Sequence, residues 1–377
     1  MIYLDNAATS GKKPQSVINA TIDALTQYSA NPGRSGHNLS VKTSMAVYNS
    51  RVKIKELINS TSEGNVCFTL NCTMAINMVL FGVLNSGDHV IISSLEHNAV
   101  YRPINYLNRD KGLEYDIARV NLYNDDKTLE NIIGLIKPNT KMIFVTSASN
   151  VIGKTLPLEK IGKLCNEKGI LFGVDAAQGC GIFDINMQKM HIDYLCLAPH
   201  KGLYSSMGTG VLIAEKPIDN ILISGGTGIN SKDPFQPDDL PERLESGTQN
   251  VPGIYSISAG IDFVKKTGMN KIYEHEMNLC KMAYSGLRKV GATLYTPYPE
   301  KNSYAPVLSF NIKGKHSSQT AEILNANGVA VRSGLHCAPL AHEHIGTSAI
   351  GTVRISPSVF NSAQDIDNLI FVLKRIK

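Results

Sequence analysis

No pair of cysteines stands at CxxC spacing, no apolar run nears the roughly 18 residues needed to cross a membrane, and no block of Lys or Arg interrupts the 377-residue chain. Each absence excludes something. Without paired spacing the seven cysteines, Cys67, Cys72, Cys165, Cys180, Cys196, Cys280 and Cys337, read mostly as small reduced hydrophobes inside apolar runs, with Cys337 the exception. The N-terminus, MIYLDNAATSGKKP, has neither the basic start nor the long apolar segment of a signal peptide. The chain is therefore expected to be cytoplasmic, with no membrane partner. Without a basic block, the net charge of +5 gives no support to nucleic acid as a partner. Internal repeats and low-complexity tracts are missing too. What remains is 43% hydrophobic and 18% charged, over a length sufficient for two cores, and describes a compact soluble protein of two domains.

The chemistry concentrates between Gly169 and Lys201. Two apolar runs, Ile170 to Val174 and Ile192 to Ala198, are short and bounded by polar and turn residues, the signature of parallel strands buried on both faces. Each empties into a polar cluster: Asp175 with Gln178 after the first, His200 with Lys201 after the second. Ligands of α/β sheets sit at the carboxyl ends of the strands, so an acid, an amide, an imidazole and an amine are expected around one crevice. Taken singly, Asp175 reads as a turn cap and Lys201 as a solvated surface lysine. Together, after adjacent strands, they suit pyridoxal 5'-phosphate. That cofactor has an aldehyde for an amine of lowered pKa, here Lys201, and a ring nitrogen that a buried carboxylate, here Asp175, keeps protonated.

Elsewhere, apolar residues at helical spacing predict helices over 16–28, 41–58, 158–168, 256–266, 272–290 and 317–327. Strands are expected over 3–6, 65–70, 88–93, 141–147, 208–214, 307–312, 329–332 and 352–356. A last helix follows Ser362, with Asp365 as its capping pair and Ile366, Leu369, Ile370 and Leu373 as its core stripe. The composition shift over 251–255 marks a boundary, giving a large domain of residues 15–252 and a small α+β domain of 1–14 with 253–377. The segment NPGRSGH, 31–37, is a loop that reads equally as a connector or as part of the site. Where the strand over 65–70 meets the helix opened by Asn71, Cys72 and Thr73, free amides and the helix dipole make an anion site, so the amides of Cys72, Thr73 and Met74 are expected to cradle the phosphate. Read as a plain cap, Thr73 belongs to the same structure.

A second cluster lies in VRSGLHCAPLAHEH. Arg332 can hold a carboxylate in its bidentate fork, and Cys337 follows in a glycine-bearing, exposed loop beside His336, where a thiol can be poised as thiolate. A lone exposed cysteine is the bland reading. His342, Glu343 and His344 lack further ligands at a recognisable spacing, so they read as a solvated loop and no metal is expected.

These segments resemble the class V aminotransferase family of fold-type I pyridoxal phosphate enzymes. VDAAQ (174–178) with PHK (199–201) resembles their cofactor site, and the likeness runs from YLDNAAT to the last helix. Within the family, RSGLHCA resembles the RxGHHCA motif of SufS-like cysteine desulfurases, with Leu335 in place of the first His of the motif. The resemblance implies a mostly parallel seven-stranded sheet between helices, with a smaller α+β domain carrying the Cys337 loop. It implies that His97, in LEHNA, stacks on the cofactor ring; a surface loop His is the other reading. Asn150, in SNVIG, would touch the ring oxygen and the substrate carboxylate, a turn Asn being the alternative. Arg354, in TVRISP, matches a family Arg near the substrate loop, and a structural ion pair explains it equally well. NCTMAIN keeps only the second Thr of the usual GTTEAIN, and Ala198 and Pro199 stand near where a Ser is frequent. His200 and Thr73 are then left with more of the phosphate. LESGTQN (244–250) resembles a phosphate loop donated by the neighbouring subunit, with Thr248 as its hydroxyl, which makes a homodimer. The implied activity is conversion of L-cysteine to L-alanine. Lys201 acts as base, Cys337 receives the sulfur as persulfide, and an acceptor protein takes it onward, as in iron-sulfur cluster assembly. A selenocysteine lyase is the nearest alternative, then a class V aminotransferase or epimerase, then a non-catalytic binding module.

Overall fold

Apolar runs that end in turn residues form the main sheet, and amphipathic segments between them form the helices that cover it. The computed structural model describes residues 1–33 and 35–376, so the loop expected over 31–37 is described except for Arg34. In chain order the first elements are β1 (Ile2–Tyr3), α1 (Gln15–Thr26), α2 (Asn38–Ile58), β2 (Val66–Thr69), α3 (Cys72–Val83), β3 (His89–Ser93), α4 (Asn98–Lys111), β4 (Glu114–Ala118), α5 (Asp125–Ile133), β5 (Thr140–Thr146), α6 (Leu158–Lys168), β6 (Leu171–Asp175), β7 (Tyr194–Leu197) and β8 (Gly210–Ala214). After them come α7 (Val251–Thr267), α8 (Met269–Lys289), β9 (Thr293–Leu294), β10 (Leu308–Asn311), α9 (Ser317–Ala326), β11 (Val329–Ala330), β12 (Arg332–Gly334), α10 (Pro339–His344), β13 (Thr352–Ile355) and α11 (Ala363–Lys374).

The main sheet has seven strands in the order β2-β8-β7-β6-β5-β3-β4. Only β8 runs against its neighbours; the remaining pairs are parallel, as expected of this α/β class. Successive residues of a strand point to opposite faces, and both faces are covered. Val90 and Ile92 of β3 pack with Ile76 and Leu80 of α3 and Ile104 of α4. Ile91 turns the other way, into a core with Ile54 of α2, Ile161 of α6 and Ile257 of α7. A smaller core joins Leu4, Leu279, Phe310, Val353 and Leu369 beneath the antiparallel sheet β12-β13-β10-β9. The capping pair of α11 forms as expected, with Asp365 N donating to Ser362 Oγ at 3.4 Å and Ser362 N to Asp365 Oδ2 at 3.0 Å.

The structure differs from the sequence pattern in three places. α4, β4 and α5 had no apolar run to announce them; β4 is an edge strand whose Glu114 and Asp116 pair with Lys137. α7 starts at Val251, within the expected boundary, because Pro252 sits in the first turn, where no amide is needed from it, and Asn250 Oδ1 accepts from Gly253 N at 3.2 Å. The strand expected over 329–332 splits: β11 pairs in parallel with β1, whereas β12 joins β13 in the small sheet. No helix among the described residues is long and apolar enough to cross a membrane.

Candidate active site

β6 and β7 are parallel neighbours, with Asp175 opposite Cys196, so the loop that carries Lys201 leaves the sheet beside Asp175. This loop is held by close backbone contact. A Cβ on Gly202 would stand 2.2 Å from Cys180 O, which only glycine tolerates. Burial lowers the pKa of Lys201, and the charges of Arg354 and Arg332 add to the effect, while Asp175 opposes it. Asp175 is itself buried, and its Oδ1 accepts from Ala177 N at 2.9 Å and from Cys72 Sγ at 3.7 Å. Its Oδ2 accepts no hydrogen bond among the described residues.

Cys72 and Thr73 open α3 as expected. Asn71 caps this helix, its Oδ1 accepting from Met74 N at 2.9 Å, so of the three amides expected at an anion only those of Cys72 and Thr73 remain free. β8 runs hard against this turn: a Cβ on Gly210 would lie 2.6 Å from Cys72 N. The Cys72 side chain faces Asp175, and burial with the Asp175 charge raises its pKa well above the usual value, so it is a neutral thiol donor to the acid.

His97 caps α4, its Nδ1 accepting from Ala99 N at 3.0 Å, so in the neutral ring the proton sits on Nε2. Burial lowers its pKa; Asp175 opposes this, and Lys201, Arg332 and Arg102 reinforce it. The next residue, Asn98, donates its N–H to the Cys337 carbonyl at 2.7 Å, which fastens the cysteine loop to the His97 turn. Asn150 Nδ2 donates to the His336 carbonyl at 2.7 Å. Cys337 is exposed, and Arg332 Nη2 donates to its Sγ at 3.4 Å. His336 and Cys337 both adopt left-handed backbone, φ 50° and 60°, a strain non-glycine residues avoid.

Two expectations about histidines are corrected. His336 does not stand ready to serve the Cys337 thiol. Ser309 Oγ donates to Val151 O, and Thr352 Oγ1 donates to Ser309 Oγ, so Thr352 Oγ1 accepts from His336 Nε2, at 3.0 Å. That leaves Nδ1 buried and unpaired, and burial, then the Arg354 charge, push the pKa of this ring far down. HEH is not a solvated loop either: it ends α10, His342 is fully buried, and burial lowers its pKa to about 4. No cluster among the described residues could hold a metal ion.

Gln178 and Lys201 line one cavity with Tyr204, Ser356 and Ser358. His200 Nδ1 lies 3.0 Å from Thr9 Oγ1, and burial, with the charges of Lys201 and Lys13, lowers its pKa to about 4. Thr248 is not part of this cavity; it lines a separate cleft with Leu70 and Met74. Arg354 is buried in an ion pair with Asp5, 2.5 Å, and its Nη1 donates to Asn150 O at 2.9 Å, leaving Nε unpaired. Sequence reasoning missed Glu96. This fully buried carboxyl accepts from Ser93 Oγ and, at 2.9 Å, from Thr146 N, tying together the ends of β3 and β5. Its position next to His97 was the available signal.

The family model Aminotransferase class-V matches residues 2–369. The chain is 31% identical to a probable cysteine desulfurase of Pyrococcus abyssi, over 100% of its own length and 94% of that protein. It is 31% identical to another from Borreliella burgdorferi, over 100% and 92%. The solved apo structure of the cysteine desulfurase from Thermococcus onnurineus NA1 superposes with a TM-score of 0.90, at 30% identity over 100% of this chain and 94% of that one. The cysteine desulfurase CsdA of Escherichia coli, in an S-sulfonic acid form, gives 0.87 at 26% identity over 99% and 94%. By whole-chain likeness in sequence and in fold, this protein belongs to the class V aminotransferase family, on its cysteine desulfurase branch.

Proposed function

We propose that the protein is a pyridoxal 5'-phosphate-dependent cysteine desulfurase that converts L-cysteine to L-alanine and carries the sulfur as a persulfide on Cys337. The residues fit the cofactor. Free amides at Cys72 and Thr73 suit its phosphate, the unengaged Oδ2 of Asp175 suits its ring nitrogen, and the desolvated Lys201 amine suits its aldehyde. His97, Gln178, His200 and Asn150 stand around the same strand ends. When bound, pyridoxal phosphate supplies an electron sink that weakens the Cα–H and C–S bonds of the amino acid it holds.

The chain's own groups do the rest. Lys201, its pKa lowered by burial, is the base for the Cα proton. His97 holds a transferable proton at Nε2, since its Nδ1 is committed to Ala99. Arg332 and the unpaired Nε of Arg354 are cationic donors for the substrate carboxylate. Cys337 Sγ attacks the substrate sulfur; an S–S bond forms as the C–S bond breaks, and the electron pair left on carbon takes a proton to give alanine.

One observation carries this reading: Cys337 is exposed on strained backbone, with Arg332 at its sulfur and its carbonyl bonded to the turn that holds His97. A sulfur at that place can meet substrate on one side and an acceptor protein on the other. A homodimer in which Thr248 reaches the neighbouring phosphate is supported by the cleft that Thr248 lines with Leu70 and Met74, which shares no lining residue with the Lys201 cavity.

The test is the visible spectrum of the purified protein before and after L-cysteine, with alanine and sulfide measured. Lys201→Ala should lose the cofactor band. Cys337→Ala should keep the band and lose sulfide release from L-cysteine; the same variant active on L-selenocysteine would indicate the lyase. A wild-type band in Lys201→Ala, or undiminished sulfide from Cys337→Ala, defeats the mechanism.

A further inference from the structure

The segment from Asp5 to Lys13 crosses from the small sheet to the loop that carries Lys201, and it is bonded along its length. At the small-sheet end, Asp5 Oδ1 accepts from Arg354 Nη2 at 2.5 Å, Asn6 Nδ2 donates to Ser356 O at 2.9 Å, and Ala7 N donates to Ser356 Oγ at 2.8 Å. Midway, the Ala7 carbonyl accepts from Gln178 Nε2 at 2.9 Å. At the far end, the carbonyl of His200 is approached by Ser10 N at 3.1 Å, Ser10 Oγ at 3.0 Å, Lys13 Nζ at 3.0 Å and Thr9 Oγ1 at 3.3 Å. Lys13 Nζ also donates to Ser10 Oγ at 2.6 Å. A carbonyl oxygen has two lone pairs, so this many donors over-determine its position.

The ammonium of Lys13 is divided between this carbonyl and Ser10 Oγ, itself a donor to the same carbonyl. It forms no ion pair among the described residues, and the titratable group facing it is the His200 imidazole, whose pKa its charge lowers. Its neighbour Lys12 turns away to the Phe360 ring, 5.2 Å from the centroid. Burial lowers the pKa of Lys13 to about 8. A half-buried cation without a counter-ion is unfavourable in itself, which argues that its position has a use.

We propose that Lys13 is a positioning residue for Lys201: by fixing the carbonyl that immediately precedes it, Lys13 sets where the Lys201 amine stands against Asp175 and ties that position to the strap held by Arg354 and Ser356. The inference rests on the reading that Lys201 carries the cofactor. A neutral, non-donating side chain at position 13 removes the one charged donor and leaves the carbonyl to the weaker neutral bonds of Ser10 and Thr9, and the amine then samples more than one position.

The experiment compares cofactor-loaded wild type with Lys13→Met, Lys13→Arg and Ser10→Ala. Lys13→Met should move the pH midpoint of the visible cofactor band and lower kcat about tenfold, the scale of one charge-assisted hydrogen bond, with KM for L-cysteine nearly unchanged. Lys13→Arg, which can donate to the same carbonyl, should restore both. Ser10→Ala should shift the band less, in the same direction, and keeps the test usable if Lys13→Met does not fold. A Lys13→Met band and kcat equal to wild type overturn the proposal, and so does a kcat loss that follows thermal stability while the band stays put. Absence of a visible band in wild type is a different result: it removes the cofactor reading itself.

Discussion

At the scale of single residues, the site depends on side chains that are missing as much as on those present. Gly202 follows Lys201, and its Cα faces the Cys180 carbonyl so closely that a Cβ would stand 2.2 Å from that oxygen. Gly202→Ala must push the loop or the Cys180 turn aside, an overpacking cost of about 1–3 kcal/mol. The expected result is a lower urea midpoint for the apo protein and slower uptake of pyridoxal phosphate. Unchanged stability with normal uptake would show that the loop has slack. Sequence alone pointed to Lys201, Asp175, His97 and Cys337 as candidates, because each follows an apolar run or sits in a recognisable motif. It could not orient His336. Nothing in RSGLHCA says that this ring turns inward to Thr352, since that depends on Ser309 and Val151, residues remote in the chain. Glu96 and Lys13 escaped for the same reason: their partners, Thr146 and the His200 carbonyl, are set by tertiary packing.

At the scale of elements, β1 and the segment after it are too short to be stable alone, and they persist through contacts with the small sheet. Leu4 is fully buried in the small core, and β1 pairs with β11. Next to it, Asp5 is the counter-ion of Arg354, a side chain 1% exposed. Removing one partner of a buried pair leaves an uncompensated charge, which costs about 3–5 kcal/mol. The partial exposure of Asp5, 20%, moves the expectation for Asp5→Asn to about 3 kcal/mol, read as a lower urea midpoint at constant m-value. A change under about 0.5 kcal/mol would mean that Arg354 finds another acceptor. The sequence pattern predicts a short strand over 3–6, and the structure has a two-residue strand there, shifted to Ile2–Tyr3. The segment's role as a strap was hidden, because strand length and periodicity carry no information on what the loop residues touch. The same limit applies to β4, whose charged edge residues erase the apolar signal, and to α7, whose Pro252 looks like a breaker but sits where helices accept proline.

At the scale of the whole molecule, two buried carboxyls set a pH dependence that the active site does not require. Burial pushes the pKa of Glu96, and of Glu276 beneath Tyr204, up to about 8, from a usual 4.5. The folded protein therefore holds protons that the unfolded chain has already released. Stability falls with rising pH wherever the folded state binds more protons, here from the usual carboxyl range toward pH 8. Buried histidines act oppositely, but lower down: His200 and His342, both near 4 when folded against a usual 6.5, favour folding increasingly as pH rises to that value. Above about pH 6.5 the histidine contribution levels off and the carboxyls remain, each contributing at most about 1.4 kcal/mol per pH unit. Glu96→Gln and Glu276→Gln should each flatten the loss of stability of the apo protein between about pH 6.5 and 8, measured by urea unfolding at stepped pH, and the double variant should flatten it most. Equal slopes in wild type and double variant would mean that both acids are ionised in the fold. For Glu96 the consequence reaches the site, because the Asp175 charge contributes to its raised pKa. A neutral Glu96 spares Asp175 a like charge at the strand ends, so raising the pH toward 8 should disturb the cofactor site and the fold together, and Glu96→Gln should uncouple the two.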